Sequence, residues 1–264
     1  MDFSVDRRTL ALFLPAVALG GWALAQARDL NDAINKAGRQ RMLSQRVAKA
    51  YLALGQAVRT DQAEKVLADS MALFDRQLVE LKAFAPSAET KGTYEQLETA
   101  WSAYKVLLVG ASPSKTGAEA VLAASGRVLQ IANQGTLQLE AVSGKPIGRL
   151  VNLSGRQRML SQRMAAMYLS ASWGVQVDVS TKLLNSARDE FAKAHEVLKA
   201  APETTGKIKA ELELAEQQFG FFDAALRTLK PGGTSPQSQA DVFTTSERIL
   251  QVMDGVTSLY VKVA

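Results

Sequence analysis

The sequence predicts an all-α protein built as two tandem up-down four-helix bundles, and three observations carry that prediction. Residues 38–46, Gly-Arg-Gln-Arg-Met-Leu-Ser-Gln-Arg, recur unchanged at 155–163, and a Tyr-Leu pair follows each copy at the same distance (Tyr51-Leu52, Tyr168-Leu169). Apolar residues return at three- and four-residue steps along nearly the whole chain, which is the helical period. Aromatics are few while Ala, Leu, Gln and Lys are many, a balance that favours helix. With 264 residues, 47% of them hydrophobic, each half is long enough to bury its own core.

Taken in order, the first helix runs from Arg28 to about Val58. Leu30, Ile34, Ala37, Arg41, Ser44, Ala48 and Tyr51 form its stripe, and Asp29, Asn31 or Asp32 is placed to cap it. The second spans about Asp61 to Phe84 with Val66, Leu67, Phe74, Leu78 and Leu81 facing inward, and Pro86-Ser87 ends it. The third, Glu89 to Val109, carries Tyr94, Leu97, Trp101, Tyr104 and Leu108; the loop 110–114 follows. The fourth, Ala118 to Val142, uses Val121, Leu122, Val128, Leu129, Ile131 and Leu137. Ser143-Gly144-Lys145-Pro146 then marks a boundary, so the halves are 28–144 and 145–264.

The scheme restarts with helices over Ile147–Val175, Val179–Ala200, Thr205–Leu229 and Gln239–Val261. Phe219, Phe221 and Phe222 replace the aromatic set of the third helix, and residues 231–236 form the matching loop. Glu247-Arg248-Ile249-Leu250-Gln251 stands where the first half has Gly126-Arg127-Val128-Leu129-Gln130, so the repeat is complete. Short joints between four amphipathic helices give an up-down bundle in each half.

Residues 1–27 read as a secretory signal. Arg7-Arg8 precedes the apolar run 10–25, and Ala23-Leu24-Ala25 or Ala25-Gln26-Ala27 offers a cleavage site. The paired arginines admit a twin-arginine route. The rival reading, an inner-membrane anchor over residues 10–25, suffers because the run is shorter than the ~20 residues a spanning helix needs. The mature chain is therefore expected to be periplasmic. A net charge of +5 is too small to imply nucleic acid, and with no cysteine there is no disulfide or thiolate metal site.

The repeated block carries the site expectation. Gly38 in mid-helix costs roughly 1 kcal/mol relative to alanine, a cost that close approach of a backbone or a ligand repays. Residues three and four apart share a face, so Gly38, Arg41 and Gln45 line one side, and Arg39 and Arg46 another. Asn-x-x-Gly-x-x-Arg-Met-x-Ser-x-Arg at the start of a long helix resembles the signature of PilJ-type and nitrate-sensor (NarX/NarQ-type) periplasmic sensing domains, over both halves of the chain. In the nitrate-sensor branch the positions of Arg39, Gln40, Leu43 and Gln45 usually carry other residues. The resemblance implies that the first helices of two subunits meet across a two-fold axis and enclose one nitrate between matched glycines and arginines. On this sequence those positions are Gly38 and Arg41 with Gly155 and Arg158, and the duplication is expected to make an intramolecular pseudo-dimer.

Two guanidinium groups about 5 Å apart repel by roughly 3 kcal/mol at an effective dielectric near 20. An anion between them removes that repulsion and accepts charge-assisted hydrogen bonds. Arg39, Arg156, Gln45 and Gln162 are the further ligand candidates, while Arg46 and Arg163 are expected in structural ion pairs and Met42, Leu43, Met159 and Leu160 in the core. His195 stands alone, no Glu-x-x-His pair suggests a di-iron centre, and no phosphate loop is present, so neither enzyme activity nor a cofactor is expected. Two readings follow. One is a sensory module that binds nitrate or nitrite and reports to a membrane-bound signalling partner, with homo-oligomers possible. The other is a cell-envelope interaction protein of type IV pili or chemoreceptors in which the signature only joins the bundles.

Overall fold

Four of the helices start at a side-chain cap and a fifth at a proline. Asp29, Ser87, Ser114 and Thr205 each accept a hydrogen bond from a backbone N–H three residues on, and Pro146 occupies the first turn of the fifth helix, where its missing N–H costs nothing. In a computed structural model that describes residues 27–263, the elements are α1 Leu30–Leu54, α2 Thr60–Phe84, α3 Ala88–Val109, α4 Lys115–Ser143, α5 Pro146–Ser172, α6 Val177–Ala200, α7 Gly206–Leu226 and α8 Pro236–Val263. No strand occurs among the described residues. The apolar run 10–25, expected to be a signal, lies outside them. No helix among the described residues is long and apolar enough to cross a membrane.

The helices alternate in direction within each half. α1 lies between α2 and α4, and α3 closes the bundle chiefly against α4; α5, α6, α8 and α7 repeat the arrangement. The most extensive helix contact of all joins α1 to α5. These two run parallel and in register: Gly38 faces Gly155, Ile34 reaches Gly148, and Gln56 donates to the carbonyl of Leu169. The halves are thus two bundles sharing a central helix pair.

This arrangement alters what α1 and α5 look like. The periodicity suggests one apolar stripe on the first helix, yet both helices are buried almost all round, with Gln40, Arg41, Ser44, Gln45 and Lys49 inside alongside the apolar residues. Buried polar groups need partners. Gln40 and Gln157 donate to the carbonyls of Phe74 and Phe191, matching positions on α2 and α6.

Helix ends differ from expectation for an identifiable reason. α1 stops at Leu54 and α5 at Ser172, short of the expected Val58 and Val175. Val58 N–H bonds the carbonyl of Ala53, Ala57 N–H that of Leu54, and Ala57 has φ 54°. Val175, Gly174 and φ 77° repeat the pattern. These are Schellman motifs, whose first residue beyond the left-handed position turns back apolar into the core. Val58 and Val175, both buried, therefore imitate another helical turn in the sequence. α4 and α8 begin earlier than expected and α7 ends earlier, at Leu226. Leu137 and Phe221, expected inside, are exposed, whereas Phe219 stacks on Phe191 at 4.4 Å.

One contact between the bundles constrains the end of α1. A Cβ on Gly55 would lie 2.1 Å from the Trp173 indole, so the ring of the second half occupies the space a side chain would need. Gly55→Ala should accordingly overpack this joint and lower unfolding stability by about 1–3 kcal/mol in urea titration, with a shift in tryptophan emission. Gly92→Ala, whose added Cβ would meet nothing within 4 Å, is the control that should not be destabilised.

Candidate functional site

The α1 and α5 backbones come close together at the glycine pair. A Cβ placed on Gly38 would be 3.8 Å from the Gly155 Cα, and one on Gly155 would be 3.9 Å from the Gly38 Cα. The same Gly38 Cβ position lies 3.3 Å from Arg41 Nη2 and 3.6 Å from Arg158 Nη2; at Gly155 the distances are 3.8 and 3.1 Å. Both guanidinium tips therefore converge on the glycines, and Arg41 faces Arg158. Removing two side chains from the seam makes room for two others.

Neither arginine reaches solvent, with exposures of 1% for Arg41 and 0% for Arg158. Each is held by the other half of the molecule. Arg41 Nη2 donates to the backbone carbonyl and side-chain oxygen of Asn152, at 3.2 and 2.6 Å. Arg158 Nη2 donates in the same way to Asn35, at 3.2 and 2.8 Å. The exchange is reciprocal, as a two-fold axis between the helices requires. Glu140 accepts from the Asn152 amide and so orients its oxygen toward Arg41. Nε of both arginines is buried with no hydrogen-bond partner among the described residues.

The remaining donors expose a difference between the halves. Arg158 Nη1 bonds Asp254 on α8, and Arg39 Nη2 reaches the same carboxylate at 2.7 Å. At the matching position on α4 stands Asn133, which accepts from Arg41 Nη1 at 2.9 Å and from Arg156 Nη1 at 3.4 Å. A neutral amide thus replaces a carboxylate. Burial pushes the Arg41 guanidinium down to about 9, and the charges of Arg156 and Arg158 push the same way against Glu140 and Glu190. Burial pushes Arg158 down to about 10, with Arg39 adding to the effect and Asp254 opposing it. Burial raises the pKa of Asp254, but Arg158 and Arg39 outweigh it and hold the carboxyl below its usual range.

The other sequence candidates divide. Arg39 and Arg156 lie beside the pair, the first on Asp254 and the second on Glu190 of α6. Gln45 and Gln162 commit their amides to Ser125 Oγ and to the Ser246 carbonyl, so they join α1 to α4 and α5 to α8. Met42, Leu43, Met159 and Leu160 are in the core. Arg46 forms the expected ion pair with Glu247. Arg163 does not: among the described residues no carboxylate is within ion-pair distance of it, because α4 presents Gly126 where α8 presents Glu247. His195 is a packing residue, stacked on Phe191 and 3.4 Å from Gln157 Oε1. No cluster fit to hold a metal ion occurs among the described residues.

Sequence reasoning gave no role to Asn35 and Asn152, although each opens the family signature and stands six residues before its arginine. It also passed over Asn133 and Asp254, which no local pattern marks. A third omission is Lys49, fully buried against Glu247 and 4.5 Å from the Phe243 ring centroid.

Burial opposes the charge of Glu247, yet Lys49 and Arg46 overcome that penalty and hold its carboxyl down to about 2. A depressed acid stabilises the fold above its unfolded value near 4.5, and the contribution is lost as pH falls from there toward 2. Glu247→Gln should remove this acid-sensitive contribution and strand the Lys49 ammonium, at a cost of about 3–5 kcal/mol at neutral pH. Urea unfolding of both proteins between pH 7 and pH 3 measures the loss and should show the two curves converging in acid.

The family model described as "Type IV pili methyl-accepting chemotaxis transducer N-term" (PilJ) matches residues 22–134 and 145–219, covering the helix pair and its arginines. No curated protein and no solved structure matches the chain. The match spans well over half the sequence and includes both copies of the repeated block, and the chain belongs to the PilJ family.

Proposed function

We propose that this chain is a periplasmic sensory module that binds one small oxyanion, nitrate or nitrite, between its two repeats and presents the bound state to a membrane-bound signalling partner. The observation that carries the reading is the pair of fully buried, facing arginines, Arg41 and Arg158, at a glycine–glycine crossing. Two like charges in a solvent-excluded seam repel, and their shared cost falls when a planar anion accepts from both forks. The unbonded Nε groups and the single directly coordinated carboxylate leave donor capacity and positive charge at the crossing. Two helix backbones this close together suit a small anion of low charge better than a phosphate ester. Binding there draws α1 and α5 together, and parallel helices transmit such a movement to their ends. The family's description as a chemotaxis transducer N-terminal domain supports a sensory role, and the resemblance of the block to nitrate sensors favours an oxyanion as the ligand.

One feature favours a second reading. The reciprocal Arg–Asn bonds already satisfy several donors, and as a staple alone they would join the two bundles of an envelope interaction protein.

Calorimetry with nitrate, nitrite, sulfate and chloride separates the two. Sensing requires saturable binding of nitrate or nitrite, one per chain, weakened at least about tenfold in Arg41→Gln and in Arg158→Gln while circular dichroism stays helical. Absence of binding of all four anions to the folded chain establishes the staple instead.

A further inference from the structure

The two-fold relation between the halves generates two matching clefts, one between α1 and α8 and one between α5 and α4. α4 and α8 are held at matching heights by Gln45 of α1 on Ser125 and by Gln162 of α5 on Ser246, the residues just before Gly126 and Glu247. In the first cleft Glu247 reaches across from α8, accepting from Arg46 Nε at 3.1 Å and from Arg46 Nη2 and Lys49 at 2.5 Å. In the second, Arg163 takes the place of Arg46, Gly126 that of Glu247 and Ala166 that of Lys49. The arginine is retained and its carboxylate is not.

The second cleft is a cavity of about 280 Å³, lined by Gly126, Leu129, Gln130, Asn133, Arg156 and Arg163, with Met159 at its wall. A Cβ added to Gly126 would meet nothing within 4 Å, so the space a glutamate would enter is open. Arg156 is paired with Glu190, whereas Arg163 has no carboxylate or hydrogen-bond partner among the described residues. Burial holds the Arg163 guanidinium below its ordinary range, with the Glu190 carboxylate opposing at a distance beyond an ion pair and Arg156 adding to the effect.

We propose that the α4–α5 cleft is a second, separate ligand site that takes a small aliphatic monocarboxylate, its carboxylate on Arg163 and its carbon chain along Leu129 and Met159. The first cleft shows the form of the occupant. The side chain that Glu247 contributes there and Gly126 lacks is CH2–CH2–COO⁻, which as a free molecule is propionate. An arginine fork accepts a carboxylate in bidentate fashion. The apolar wall favours an organic acid over an inorganic oxyanion, and a single unpaired guanidinium favours one negative charge over two. Arg163, Leu129 and Met159 take no part in the Arg41–Arg158 crossing, although Asn133 and Arg156 border both, so the site stands whether or not nitrate binds there.

Titration calorimetry of the chain with propionate, and with nitrate in parallel, tests the proposal. Propionate should bind saturably with one site per chain, and Arg163→Gln should weaken it at least about tenfold. Gly126→Glu should place a tethered carboxylate on Arg163, abolish propionate binding and melt higher than Gly126→Gln, which matches it in helix propensity without the charge. Arg158 bonds Asn35 and Asp254 and no residue of the cleft, so Arg158→Gln should leave propionate binding unchanged. No saturable propionate binding by the unsubstituted chain, or binding that survives unaltered in both Gly126→Glu and Arg163→Gln, overturns the assignment.

Discussion

The parallel approach of α1 and α5 at Gly38 and Gly155 is the constraint on which the rest of the molecule depends. Two residues without side chains let the backbones close, and the space released is filled by the guanidinium groups of Arg41 and Arg158. Charges so deeply buried must be hydrogen-bonded. The acceptors for both Nη2 groups are on the opposite helix, so Asn35 and Asn152 cross over and the two-fold relation becomes self-consistent. Outer helices then complete the shielding: α8 brings Asp254 and Glu247, α4 brings Asn133, and α6 brings Glu190.

A tandem duplication has a freedom that a homodimer lacks. Identical subunits must present identical residues at both related positions, whereas the halves of one chain can diverge. Here they have diverged in charge compensation. The α1–α8 side has Asp254, Glu247 and Lys49 where the α5–α4 side has Asn133, Gly126 and Ala166. One side is closed by ion pairs internal to the chain. The other keeps its arginines with fewer carboxylates, and Arg41 consequently feels burial less well compensated than Arg158 does. The PilJ scaffold thus holds a structural half and an electrostatically open half around one seam.

Much of the fold was legible from residues alone because helical periodicity and caps act locally. The eight helices, the break between α4 and α5 at Gly144 and the core positions of Phe74, Trp101, Tyr104 and Phe222 all follow from spacing. Periodicity misled where an apolar residue served another purpose. Val58 and Val175 close Schellman turns, and Leu137 and Phe221 point outward from helices whose inner faces are already full. The polar interior of α1 and α5 was visible only in part: Arg41 and Ser44 fall on the expected stripe, but Gln40 and Lys49 do not, since a helix packed on every side has no face for polar residues to mark.

What the sequence by itself determined is the repeat, its helical character and the exact duplication of a glycine–arginine block, because these are properties of neighbours along the chain. Which arginines touch which carboxylates was decided only by tertiary structure. Arg46 and Arg163 sit in identical nine-residue contexts, yet one meets Glu247 and the other faces Gly126, more than thirty residues away in sequence. A charge responds to what lies within a few ångströms in space, and in a bundle those neighbours come from helices that local sequence does not name.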